Sequence, residues 1–332
     1  MKMKELKLII LAAALLSLGA CSSDTDERAQ AEVELRFSST LDLHTRAAYT
    51  KTQDTQILNG EKVYAWVDEA KTTGAVEYIQ AWALTADGAG KLEGVKKLYP
   101  VSGNPVNVYA IHGNFATAPS GTFPTAALNH SVNATQTTDA NYAASDLLYA
   151  TGTNLARQTA AHPLAFSHLL SKIEVYLVAG TGMTDAELAT AQVTVLNTKL
   201  STALTLSKTA ATLVSIAPSG TIDATTGNAI TAKIQSQTDQ TVTIEGSAQK
   251  AYAFGEAVIV PQYVSSTGAA GGSPVDFVQI KVGTNTYTAQ VSNDFEAGKR
   301  YVYNVVVNKS GITLTSTILP WGDGGTEVII AK

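Results

Sequence analysis

Short alternating segments, separated by turn residues, constrain this chain more than any other feature of its sequence. The clearest is residues 32–37, in which Val33, Leu35 and Phe37 alternate with charged residues. An apolar residue at every second position is typical of a β-strand with one buried face. Similar candidates recur at residues 62–67, 77–84, 105–112, 147–150, 172–178, 193–196, 241–245, 257–260, 274–282, 286–291 and 299–307. Turn-rich pieces between them predict an all-β fold of the sandwich type rather than a parallel sheet with crossover helices.

The composition agrees with a β-rich globular chain and argues against nucleic acid as a partner. Hydrophobic residues make up 45% of the 332 residues, which is enough for a sizeable core. Charged residues make up 15%, against roughly 25% in typical globular proteins, and the net charge is −5 without a basic patch. Few short helices are expected. One is predicted over residues 184–192, because Thr184 and Glu187 have the spacing of a capping box.

Residues 1–20 are predicted to be a signal peptide. Lysines near the start precede an uncharged stretch at residues 8–20, which is too short to span a bilayer comfortably. This stretch ends in Leu18-Gly19-Ala20-Cys21, which resembles the lipobox of bacterial lipoproteins. The resemblance implies that Cys21 is lipidated and becomes the first residue of the mature chain. The alternative is an ordinary signal peptide beside a chance cysteine.

Cys21 is the only cysteine, so its lipidation leaves no intramolecular disulfide and the fold must be held by its core. Acidic residues follow it at Asp24, Asp26 and Glu27. This arrangement resembles the signal that directs some Bacteroidetes lipoproteins to the outer face of the outer membrane, although a solvated linker has the same composition. We therefore expect an outer-membrane lipoprotein precursor.

The sequence contains no recognisable catalytic constellation. No two of the five histidines have i, i+4 spacing, and there is no GxSxG elbow. His168 lies in an apolar run and is expected to be a core or corner histidine. Asp139 and Asp146 are candidate calcium ligands, but turn and cap roles are favoured for both. We therefore expect a binding or assembly protein rather than an enzyme, with no metal site and no cofactor.

Four features together resemble the Bacteroidetes fimbrillins, the lipoprotein-derived subunits of type V pili. Two are the lipobox at Cys21 and the strand at residues 32–37 followed by Arg46. The third is Phe-Ser-His-Leu-Leu-Ser-Lys-Ile-Glu-Val at residues 166–175, similar to the family signature F-x-H-x-L-[SA]-K-[IL]-x-V. The fourth is the ending at residues 318–325, which is similar to the family's I-x-x-W-x-x-G tail.

The resemblance implies two tandem transthyretin-like β-sandwich domains and export as a lipidated precursor. It also implies trimming by an arginine-specific protease at the surface, and strand donation between pilin subunits to build fimbriae that serve cell adhesion. We divide the chain into a signal peptide (1–20), a propeptide with a removable strand (21–46), an N-terminal sandwich (47–164) and a C-terminal sandwich with a donor tail (165–332). The boundary follows His162-Pro163, because the residue before a proline favours extended geometry.

Protease cleavage is predicted between Arg46 and Ala47, where small and polar neighbours let a protease extend the segment. Cutting there would release the strand that carries Val33, Leu35 and Phe37. The alternative is that Arg46 is a surface residue of a linker.

The donor strand is predicted at residues 311–318, where Ile312, Leu314 and Ile318 share one face with Ser316. Threonines occupy the other face. The alternative is that this tail completes the sheet of its own domain. The competing function is a monomeric surface lipoprotein that binds glycan or host protein.

Overall fold

A computed structural model describes residues 32–41, 55–208, 215–218 and 229–321. Strands dominate this part of the chain, which confirms the predicted all-β class. Neither of the two helices in these ranges has the length or the apolar character needed to cross a membrane.

Strands of the first half form a closed barrel in the order β1-β4-β3-β2-β5-β7-β8. Most neighbours in it are antiparallel, whereas β1 and β8 are parallel. The elements of this half are β1 (Phe37–Leu41), β2 (Lys62–Lys71), β3 (Gly74–Ala86), β4 (Lys91–Gly94), β5 (Val106–His112), β6 (Leu128–Ser131), α1 (Asp139–Ser145), β7 (Leu148–Leu155) and β8 (His162–His168).

The second half supplies the remaining elements. They are β9 (Ser171–Ala179), α2 (Asp185–Leu188), β10 (Gln192–Val195), β11 (Ser201–Thr205), β12 (Ser215–Pro218), β13 (Ile230–Thr231), β14 (Lys233–Ile244), β15 (Ser247–Ile259), β16 (Gln262–Val264), β17 (Val275–Val282), β18 (Asn285–Val291), β19 (Asn293–Phe295), β20 (Lys299–Asn308) and β21 (Gly311–Pro320).

These strands form one large sheet and several smaller ones. The large sheet has the order β14-β15-β9-β20-β21, and a four-stranded sheet has the order β13-β10-β17-β18. A three-stranded sheet combines β12 and β11 with β6 of the first half, while β16 pairs with β19.

One hydrophobic core joins the inner faces of the five- and four-stranded sheets. Ile173 of β9, Tyr303 of β20 and Val193 of β10 belong to it. The same core includes Trp66 and Ile111 from the barrel, while a second core fills the barrel interior. The described residues accordingly belong to one compact unit.

The barrel extends past the predicted domain boundary. β8 runs from His162 to His168 and therefore crosses residue 165, at which the sequence places the start of the second domain. Among the described residues, its strand partners are β1 and β7, both of which belong to the barrel. The division into residues 47–164 and 165–332 stays a prediction.

The helices differ from the sequence-based expectation in two ways. The capping box of Thr184 and Glu187 is present, but α2 ends at Leu188 rather than at residue 192. Helix α1 lies partly in the polar stretch 129–141, where no helix is expected from the sequence. Thr138 caps it, and its residues Tyr142 and Ala143 are buried, so packing stabilises a helix that lacks a visible apolar period.

Candidate functional site at the first and last strands

Residues 32–41 run extended along the barrel with alternate side chains facing its core. Leu35, Phe37 and Leu41 are almost completely buried, and Val33 is half-buried against the same core. The ring of Phe37 lies 5.8 Å from that of Trp82. The inward face is therefore the one that the sequence alternation indicates.

The regular strand begins later than expected, at Phe37 rather than at residue 32. Glu34 still forms a bridge with Leu98, and Phe37 pairs with Leu92. The stretch from Leu92 to Leu98 is longer than the stretch from Glu34 to Phe37 that it faces, so it bulges and interrupts the ladder. The segment is thus hydrogen-bonded along its length but forms a regular strand only in its second part.

β1 closes the barrel because it lies between β4 and β8. It pairs antiparallel with β4 at Phe37 and Ser38, and parallel with β8 from Phe37 to Leu41. The backbone N–H of His162 also donates to the carbonyl of Arg36 at 2.9 Å. Loss of β1 would therefore leave unpaired backbone groups on both neighbouring strands.

β21 is the last strand of the five-stranded sheet and pairs antiparallel with β20. Ile312, Leu314 and Ile318 lie opposite Val307, Val305 and Tyr301, respectively. All three are only partly buried, although they pack against the main core. In this single chain, the predicted donor strand therefore lies on its own sheet.

A cavity of about 180 Å³ lies beside β21. Leu314, Ser316 and Ile318 line it together with Tyr303 and Val291. Unfilled space of this kind deprives its lining of van der Waals contacts. The last strand is consequently less well packed than the central strands of its sheet.

Trp321 directly follows β21 and holds its end. Its backbone N–H donates to the carbonyl of Gly298 at 2.7 Å. Its indole is stacked on His168, with ring centroids 3.8 Å apart and planes 8° apart. Lys172 Nζ lies 5.9 Å from the centroid of the same indole. Two motifs that the sequence separates, residues 166–175 and the tail, therefore meet in one contact.

Asp146 contacts the edge of the His168 ring. Its Oδ2 lies 2.8 Å from His168 Nδ1, and both side chains are buried. Burial raises the pKa of Asp146, but the charge and hydrogen bond of His168 outweigh it and hold that pKa below its ordinary value. The expectation that His168 is a core or corner histidine is confirmed.

Charged side chains surround Lys172, which is fully buried. Its Nζ lies 3.2 Å from Glu256 and 3.6 Å from Glu174, and Arg300 lies 3.7 Å from Glu174. Buried charges need such partners, because the desolvation cost of an unpaired charge is large. The sequence singled out Asp146 only as a turn, cap or calcium-ligand candidate and gave no sign of Glu256 and Arg300, since each lies far along the chain from the motif that it supports.

Other residues singled out from the sequence have structural roles or lie outside the described ranges. Asp139, in the first turn of α1, forms an ion pair with Lys233. In its described parts, the structure brings no three metal-ligating side chains together. Cys21, Arg46 and Ala47 lie outside the described residues.

The fold is similar to those of solved Bacteroides proteins. A proposed cell adhesion protein from Bacteroides uniformis is 16% identical, with a TM-score of 0.56 over 87% of this chain and 98% of that one. Another from Bacteroides ovatus is 15% identical, with a TM-score of 0.56 over 88% of this chain and 99% of that one. No curated protein matches the chain.

A family model described as fimbrillin-like matches residues 45–321. The match spans the barrel from β2 onward, all the later strands and Trp321. It confirms the resemblance noted from the sequence motifs. The chain belongs to the fimbrillin-like family.

Proposed function

We propose that this chain is a structural, non-enzymatic subunit of surface fimbriae, exported as a lipoprotein and polymerised by strand donation. Membership of the fimbrillin-like family supports the fimbrial role, and the names of the two solved relatives support adhesion. Lipidation at Cys21 and cleavage between Arg46 and Ala47 rest on sequence alone. The partners are other pilin subunits, an arginine-specific protease and, for the precursor, the outer membrane.

A matched side-chain pattern in the first and last described strands carries this proposal. The inward positions of the first segment are Leu35, Phe37, Ser39 and Leu41. The corresponding face of β21 consists of Ile312, Leu314, Ser316 and Ile318. Both series read apolar, apolar, serine, apolar at every second residue. A tail laid over residues 35–41 therefore sets its serine at the position of Ser39 and its aliphatic side chains at the apolar positions.

Removal of the first strand would expose apolar surface and unpaired backbone groups, which a replacement strand would cover. Burial of a large apolar side chain stabilises a protein by about 1.5–3 kcal/mol, and Leu35, Phe37 and Leu41 are each nearly fully buried. The edges of β4 and β8 lose their partners in the same step. A donated strand restores both the apolar contacts and the backbone hydrogen bonds.

The packing of β21 favours its role as the donor. It has one strand partner among the described residues, its apolar side chains are half-buried, and a cavity lies beside it. Elements with few buried contacts open at a lower free energy than the rest of a fold. Release from its own sheet therefore costs less than release of a central strand such as β9.

Paired substitutions on the two faces of β21 test the proposal. Leu314→Asp places a charge on the face that would enter the neighbouring subunit, whereas Thr313→Asp places it on the exposed face. We expect the heat-labile ladder of polymers on a gel to disappear with Leu314→Asp and to persist with Thr313→Asp. The melting temperature of each monomer checks that it remains folded.

Two results would contradict strand donation by this tail. One is a ladder that persists in folded Leu314→Asp. The other is a single band for the native protein isolated from cells, which would favour the monomeric surface lipoprotein.

A further inference from the structure

A second cavity, of about 220 Å³, lies on the outside of the barrel, away from β1 and β21. It opens beside the start of β2 and the end of β5, and no residue of β1 or β21 lines it. Its lining includes Glu61, Lys62, Tyr64, Asn114 and Phe115. A ligand held here would leave both strand surfaces accessible.

Three polar groups of this cavity lack a protein hydrogen-bond partner among the residues that the structure describes. They are the carboxylate of Glu61, the hydroxyl of Tyr64 and the side-chain amide of Asn114. The side chain of Glu61 is only 19% exposed, and its Oε2 lies 4.0 Å from His112 Nε2. Burial raises the pKa of Glu61, and the electrostatic interaction with His112 only partly offsets this rise. A carboxylate in this setting gains from any ligand that donates hydrogen bonds to it.

The aromatic side of the cavity is held rigidly. The ring of Phe115 contacts that of Tyr64 edge-on, with centroids 6.3 Å apart, and that of His130 at 6.0 Å. His130 is fixed by two hydrogen bonds: its Nδ1 accepts from the N–H of Asn114, and its Nε2 lies 3.0 Å from the carbonyl of Ser145. Burial lowers the pKa of His130 to about 4, so the ring is neutral at pH 7.

The chemistry of this lining is that of a binding site for a neutral sugar ring. Hydroxyl groups donate to a carboxylate and exchange hydrogen bonds with an amide and a phenol, while the C–H face of a pyranose packs on aromatic rings. Pockets for drug-sized ligands are about 300–1,000 Å³, so this smaller cavity suits one ring. The charge of Glu61 disfavours acidic sugars. Lys62 does not offset this charge directly, since its Nζ donates to Thr85 Oγ1 at 2.7 Å.

We propose that the cavity lined by Glu61, Tyr64, Asn114 and Phe115 binds a single neutral pyranose, such as the terminal residue of a surface glycan. The proposal concerns the barrel alone and does not depend on polymerisation. It adds a specific contact to the adhesive role.

Saturation-transfer NMR on the full chain tests this proposal. The probes are methyl glycosides of galactose, glucose, mannose and N-acetylglucosamine, with N-acetylneuraminic acid as the acidic sugar and butylamine as a simple cation. We expect at least one neutral glycoside to bind and the other two probes not to bind. Loss of a charged hydrogen-bond acceptor weakens binding by about tenfold or more, which is the effect expected for Glu61→Gln.

Matched variants separate the cavity from the rest of the surface. Asn114→Ala is expected to weaken the same glycoside, whereas Glu93→Gln, which alters an exposed glutamate paired with Lys91, is expected to leave it unchanged. Thermal unfolding of each variant checks its fold. The proposal is overturned if no neutral glycoside binds, if Glu61→Gln binds as tightly as the native chain, or if the acidic sugar or butylamine binds in place of the neutral probes.

Discussion

A single imidazole ring, that of His168, connects three distant parts of the chain. Asp146 Oδ2, at the end of α1, lies 2.8 Å from its Nδ1, and Trp321 after β21 covers its face. The ring thereby ties the end of the barrel to the end of the last strand. This arrangement explains in physical terms why the motif at residues 166–175 and the tryptophan of the tail occur in one protein.

Asp146→Asn is expected to lower the free energy of unfolding at pH 7 by about 1.5–3 kcal/mol, the usual range for a hydrogen bond to a charged group. Because the pKa of Asp146 is lowered by folding, its carboxylate stabilises the native state above its unfolded pKa of about 3.9. That stabilisation is lost as the pH falls through the folded pKa. The difference between native and variant chains should therefore shrink in acid.

Urea unfolding at pH 7 and at successively lower pH values measures this difference. Asp185→Asn is the matched control, since Asp185 is exposed in the first turn of α2. Equal stability of native and Asp146→Asn chains at pH 7 would show that the His168 contact contributes nothing.

At the scale of elements, β1 is the strand whose position bears most directly on the proposed strand donation. It precedes Arg46 in the chain and closes the barrel, so its removal would uncover two strand edges at once. A central strand such as β9 could not leave its sheet in this way, because both of its faces are buried and it pairs on both sides.

Arg46→Gln is expected to block trimming and to abolish the polymer, because β1 then stays in the barrel. Arg36→Gln is the matched control. Arg36 is exposed, but its backbone carbonyl accepts a hydrogen bond from His162, so a protease cannot readily extend that segment. The measurement is the N-terminal sequence of protein recovered from cells, with Ala47 expected as the first residue. A mature chain that begins at Cys21, or after Arg28, would show that cleavage at Arg46 is not the maturation step.

At the scale of the whole molecule, the chain has one cysteine, so the described fold rests on apolar burial and paired charges. The large core runs from the barrel surface into both main sheets, which lets the two halves support each other.

Cys21→Ser is expected to abolish incorporation of a radiolabelled fatty acid and to release the precursor from the membrane fraction. The reason is that the thiol is the predicted site of attachment, and no other cysteine can replace it. Ser22→Ala is a suitable control, because it alters the adjacent residue without removing the thiol. Label retained in Cys21→Ser would contradict lipidation at this position.

The sequence by itself determined the features that depend on near neighbours along the chain. Alternation at residues 33–37 and at 173–177 identified inward faces, because successive side chains of a strand point to opposite sides. The capping box at Thr184 was equally local. The family was also recognisable, since its motifs are short and continuous.

Only the tertiary structure decided which strands became partners. It placed β1 between β4 and β8, extended the barrel across residue 165, and folded a polar stretch into α1. It also buried Lys172 and Glu174 on the second face of β9, where Glu256 and Arg300 arrive from distant strands. The cavity beside Glu61 arises in the same way. These features depend on contacts between residues far apart in sequence, and local periodicity carries no information about which distant segments will meet.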